Sequence, residues 1–87
     1  MPRFIVVHTL PMTEAEIMKG LNDWASKVPP GFKWKQSYCD FADHKFFCEW
    51  EAPNKEALEQ GFKAGDLPFD AVYPVRIFDV ANKELEP

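Results

Sequence analysis

His8, Tyr38, Glu49, Glu51 and Arg76 are the residues of this sequence that could do chemistry together. A histidine beside a carboxylate can hold a divalent transition metal, or act as a general base whose tautomer the acid fixes. Here His8 and Glu49 would be the metal ligands or supply the base, and Arg76 would stabilise developing negative charge. The plainer alternative is a histidine hydrogen-bonded at a seam between two copies, with Glu49 and Glu51 in ion pairs. Carboxylates held near aromatic rings can also have raised pKa values and handle protons. The other histidine, His44, falls in a turn and is expected to be solvated. Cys39 and Cys48 are the only cysteines, and eight residues separate them with no second pair nearby. That spacing is not a zinc pattern, so core packing, a cross-strand disulfide and a metal role all stay open, with packing the simplest. The chain contains no G-x-S-x-G, no phosphate-binding glycine loop and no dinucleotide fingerprint, which argues against covalent serine catalysis and nucleotide chemistry.

The elements that must position these groups can be read from periodicity. Arg3 to Leu10 is short, β-branched and aromatic, which predicts a strand ended by Pro11. Thr13-Glu14-Ala15-Glu16 is a capping box, and Ile17, Leu21, Trp24 and Val28 then form one apolar stripe on a helix. Pro29-Pro30-Gly31 stops that helix. Phe32 to Phe41 and Lys45 to Ala52 read as a hairpin turning near Asp43-His44. Asn54 caps a second helix with Ala57, Leu58, Gly61 and Phe62 on its buried side, and Gly65 closes it. The last strand is expected over Ala71 to Val80. Because Pro74 lies inside it, it should be an edge. The order β-α-β-β-α-β is that of a ferredoxin-like α+β domain, one unit over residues 1–87, with sheet order 4-1-3-2.

Side chains alternate across a strand, which sorts the candidates by face. If Asp43 and His44 make the turn, Cys39 faces Cys48, and Ser37, Cys39, Phe41, Phe46, Cys48 and Trp50 share the face under the helices. Trp34, Gln36, Tyr38, Asp40, Phe47, Glu49 and Glu51 share the other. Grouping the polar side chains of the first and last strands with this second set predicts a helix-free face with His8, Tyr38, Glu49, Glu51 and Arg76 as polar lining, and Trp34 and Phe47 as apolar walls. One extra residue in any strand would reverse its assignment.

Composition bounds the rest. Hydrophobic residues make up 46% and aromatics 15% of the chain, too apolar for disorder. Helices can cover only one face of the single sheet, so the surplus rings predict self-association through the other. A net charge of −4 without a basic run argues against nucleic acid. No apolar stretch reaches membrane-spanning length, and the first residues lack the pattern of a signal peptide. The expected address is the cytoplasm, with reduced thiols.

Trp34-Lys35-Gln36-Ser37-Tyr38, then Lys45-Phe46-Phe47-Cys48-Glu49-Trp50-Glu51-Ala52-Pro53, then Leu67-Pro68, resemble the bacterial and archaeal domain-of-unknown-function family numbered 4242, whose pattern is W-x-x-S-Y, F-C-x-Y-E-A-P and L-P. Trp50 stands where tyrosine is usual, and His44 where a turn glycine is common. A neighbouring family of similar barrels, with P-P-G before the second strand, also fits Pro29-Pro30-Gly31. The resemblance implies a dimeric α+β barrel of uncharacterised function, in which two sheets pack through their free faces, and a link to nickel. A homodimer whose inter-sheet pocket holds a small ligand or a transition metal such as nickel is the leading expectation. The alternatives are a cofactor-independent monooxygenase or isomerase of the same barrel type, and a purely structural or regulatory interaction domain.

Overall fold

A computed structural model describes residues 1–86 of the chain. Its elements run β1 (Arg3–Thr9), α1 (Glu14–Ala25), β2 (Lys33–Asp40), β3 (Lys45–Glu51), α2 (Lys55–Ala64) and β4 (Ala71–Val75), followed by a small hairpin of β5 (Phe78–Asp79) and β6 (Glu84–Leu85). The first four strands form one antiparallel sheet in the order β2-β3-β1-β4. This is the expected 4-1-3-2 order read from the other edge, and the strand carrying Pro74 is the edge strand.

The caps form as their residue types dictate. The Thr13 amide donates to Glu16 Oε1 at 2.9 Å while the Glu16 amide donates to Thr13 Oγ1 at 3.2 Å. At the second helix the Ala57 amide donates to Asn54 Oδ1 at 2.7 Å. Helix α1 stops at Ala25, one turn before Pro29-Pro30-Gly31, so Val28 packs from the loop rather than from the helix stripe.

Three local features depart from the expected alternation. The hairpin turn takes four residues, Phe41 to His44: Asp40 Oδ1 accepts from the amides of Ala42 and Asp43, both at 3.1 Å, and His44 closes the turn with φ of 57°. This slides the pairing by two residues, so Asp40 faces Lys45 and Ser37 faces Cys48. A slip of two keeps every face, but it removes the expected Cys39–Cys48 opposition, and both thiols are free. A bulge at Lys35 does change a face. Trp34 pairs with Trp50 and Gln36 with Glu49, so Trp34 turns under the helices while Gln36 and Tyr38 stay outside. Finally, the last strand ends at Val75: Arg76 and Ile77 lie outside any strand, and Phe78–Asp79 pairs instead with Glu84–Leu85.

The core lies between the helices and one sheet face, in two parts. Phe4, Val6, Cys48, Trp50, Leu58, Phe62 and Val72 pack around α2. Leu10, Ile17 and Phe46, with Leu21 and Trp24 against them, pack around α1.

Candidate functional site

The uncovered sheet face is set by register. Antiparallel partners share a face, so the pairs Ile5–Glu49, Val7–Phe47, Ile5–Tyr73, Arg3–Val75 and Tyr38–Phe47 place all of these residues outside. Across the middle runs an apolar band of Ile5, Val7, Phe47, Tyr38 and Tyr73, with Tyr38 and Tyr73 57% and 55% exposed. Charged groups frame it at both ends. At one end Arg3 Nε lies 3.7 Å from Glu49 Oε2 and Arg3 Nη2 lies 3.9 Å from Glu51 Oε1, while Gln36 Nε2 donates to Glu49 Oε1 at 3.0 Å and lies 3.0 Å from Tyr38 Oη. Glu49 is nearly buried although it faces outward, because Arg3, Gln36 and their neighbours lean over it. Arg3 Nε is itself buried without a hydrogen bond, since 3.7 Å is too long for one. At the other end the Lys45 ammonium donates to Thr9 Oγ1 at 2.6 Å and lies 3.5 Å from Asp70, which also accepts from the Thr9 hydroxyl. Those contacts hold the Asp70 carboxyl below its usual pKa, the Thr9 hydrogen bond first. An apolar centre inside a polar rim is the anatomy of a protein interface.

His8 is not on this face. It pairs with Phe46 and follows Phe4 and Val6, which places it under the helices, 3% exposed. The expectation of His8 beside Glu49 is therefore corrected: the two residues point to opposite sides of the sheet. Polarity suggested the shared face, but alternation along β1 decides, and the large apolar residues Phe4 and Val6 mark the buried parity. The ring stands edge-on to Phe62 with centroids 5.4 Å apart, and its Nδ1–H donates to the Pro68 carbonyl at 2.6 Å. Trp34 is corrected in the same way. The Lys35 bulge stacks it on Trp50, at 5.5 Å between centroids and 5° between planes. Its Nε1–H donates to Ser37 Oγ, whose hydroxyl turns to Cys48 Sγ, both at 2.9 Å. Arg76 lies beyond β4, exposed, with Nε donating to the Glu86 carbonyl at 3.1 Å. Of the expected polar lining, Tyr38, Glu49 and Glu51 come together, with Phe47 as an apolar neighbour. His8, Trp34 and Arg76 do not join them. A base at His8 or Glu49 with Arg76 as its anion-stabilising partner is not assembled within the chain.

Metal binding by one chain fares similarly. Among the described residues, no group of three or more histidine, cysteine, aspartate or glutamate side chains could hold a metal ion. His8 and Glu49 cannot share one, and nickel favours imidazole and thiolate donors over carboxylates alone. Burial pushes the Cys48 thiol up to about 11, further from the thiolate a metal needs. Among the described residues, the donors of a single chain do not gather into one metal site.

Residue types alone do not reveal a cavity between the helices and the sheet. About 390 Å³ lies between α1, α2 and the sheet, walled by His8, Trp24, Trp34, Phe46, Trp50 and Phe62 among others. It is lined by members of both core clusters. Its only sequence signal is that tryptophans 24, 34 and 50 are all the chain has, and all of them line it.

The buried His8 gives a pH dependence. Desolvation lowers its pKa below the ordinary 6.5, against the smaller raising effects of the Pro68 carbonyl and Asp70. The unfolded ring takes up a proton near 6.5 and the folded ring does not, so below that pH the unfolded chain binds more protons. The contribution is complete above the unfolded pKa and is lost as pH falls from there through the folded value. Urea unfolding is expected to show lower stability at about pH 5 than at about pH 7.5, and His8→Asn, which does not titrate, to lose most of that difference. If His8→Asn retains the whole difference, other groups produce it.

A family model described as nickel-responsive protein SCO4226-like matches residues 4–75. The match bears on this nickel-linked family and not on the numbered family that the motifs resemble. Among solved structures, the crystal structure of SCO4226 from Streptomyces coelicolor A3(2) is similar, with a TM-score of 0.68 and 21% identity over 84% of this chain and 94% of that one. That likeness supports the α+β fold and the strand order. No curated protein matches the chain. No helix among the described residues is long and apolar enough to cross a membrane.

Proposed function

We propose, from the premise that this chain belongs to the SCO4226-like family of nickel-responsive proteins, that it acts as a cytoplasmic homodimer joined through its uncovered sheet face, and that nickel is held only by the joined pair. The observation that carries the dimer is the apolar band of Ile5, Val7, Tyr38, Phe47 and Tyr73 between two groups of ion pairs. A two-fold axis through the band lays rings on rings and brings charged ends against charged ends, which is how self-complementary seams are built.

The nickel half of the reading rests on the family's description alone; the seam's own donors, Glu49 and Glu51, are carboxylates, the weaker class for nickel. Equilibrium dialysis with nickel, followed by metal analysis, tests it. The wild-type protein is expected to retain nickel, and a variant that stays monomeric is expected to retain at least about tenfold less. Equal nickel on the monomeric variant would place the site within one chain and overturn this half.

A further inference from the structure

We infer that the cavity between the helices and the sheet is a binding site for a small phenol-like molecule, with His8 Nε2 as the acceptor for its hydroxyl. This goes beyond the dimer reading and lies on the opposite side of the sheet from the seam.

Four observations converge. The first is size: about 390 Å³ falls within the range of small-molecule pockets. The second is position. The space is lined by members of both core clusters, with walls from α1, α2 and the sheet. The third is wall chemistry. Trp24, Trp34, Phe46, Trp50 and Phe62 offer flat faces and ring edges, which suit a planar ring better than a branched aliphatic one. The fourth is a polar group in that wall. The Nδ1–H of His8 is committed to the Pro68 carbonyl at 2.6 Å, so the neutral ring presents Nε2 as a lone pair. A phenolic hydroxyl can donate to such a ring nitrogen.

Gly61 supplies a way to close the site without harming the fold. It belongs to the cavity wall from the middle of α2, and a Cβ built there meets no heavy atom within 4 Å. Gly61→Leu therefore fills open space and removes a helix-weakening glycine.

The test uses 4-ethylphenol and ethylbenzene, which match in shape and differ in the hydroxyl. Binding is read from the indole N–H signals of the three tryptophans in a nitrogen–proton correlation spectrum. Wild type is expected to show shifts in all three and to bind 4-ethylphenol at least about tenfold more tightly than ethylbenzene, as a site that hydrogen-bonds a hydroxyl does. His8→Asn places an amide donor near the Pro68 carbonyl but deletes the Nε2 acceptor. It is expected to reduce the preference to about twofold or less. Gly61→Leu should weaken both probes by about tenfold or more. A variant that is monomeric through a change on the outer sheet face should bind as wild type does, so failure here and failure of the dimer are separable. No shift with either probe, equal affinity for both, a preference that survives His8→Asn, or binding unaffected by Gly61→Leu would each overturn the inference.

Discussion

Phe47→Arg is expected to leave a folded monomer. Phe47 sits near the middle of the outer band, opposite Tyr38 on one side and Val7 on the other, and is 38% exposed in the single chain. In a two-fold seam the new guanidinium would lie close to its own symmetry mate, desolvated and without a carboxylate placed to meet it. Such a charge costs roughly 3–5 kcal/mol, which raises the dissociation constant by about a hundredfold to several thousandfold. The single chain has little to lose, because an exposed substitution away from the core usually changes stability by about 0.5 kcal/mol or less. Light scattering after size exclusion should report the monomer mass, and the far-ultraviolet circular dichroism should match wild type. A Phe47→Arg protein that stays dimeric would put the seam elsewhere.

The neighbouring residue should behave in the opposite way. Phe46 is 1% exposed, edge-on to Phe41 at 5.7 Å between centroids, and packed with Leu10 and Ile17 under α1. Phe46→Ala removes this contact set beside an existing cavity, where the walls have little material with which to close. The expected loss is about 3–5 kcal/mol, a large share of the roughly 5–15 kcal/mol that holds a domain folded. Dimerisation adds a concentration-dependent contribution to stability, so the comparison belongs in the monomeric Phe47→Arg background. There the urea midpoint should fall with little change in slope. A loss below about 1 kcal/mol would mean that Phe46 is not packed as described. Two adjacent phenylalanines thus separate folding from assembly, and only the two-residue period of the strand distinguishes them.

That period made most of the fold readable. The capping box at Thr13, the Asn54 cap and the edge proline Pro74 are local chemistry, and each acts where its residue type requires. From Gln36 to Glu51 the hairpin residues lie on the expected faces even though the turn uses four residues instead of two, because a slip of two preserves parity. Trp34 was not readable: nothing about Lys35 announces a bulge, and the Trp34–Trp50 stack that rewards it is a tertiary contact. His8 was readable in principle. Phe4 and Val6 share its parity, and two large apolar neighbours outweigh the polarity of one histidine whose Nδ1–H is satisfied by a carbonyl 60 residues away. The end of β4 was not readable, since Arg76 and Ile77 look like strand residues and the later β5–β6 hairpin competes for the segment. A cavity leaves no local mark, because it depends on how far two helices stand apart over a sheet.

The outer band is narrower and less polar than the motifs suggest. Without His8, Trp34 and Arg76 it is mainly an aromatic and aliphatic surface with ion pairs at its ends, which favours a seam over a reaction chamber. The most direct measurement is the mass of the wild-type protein by light scattering at micromolar concentration. A seam through the uncovered sheet face predicts about twice the 10.1 kDa of one chain. A mass of 10.1 kDa under those conditions would contradict it.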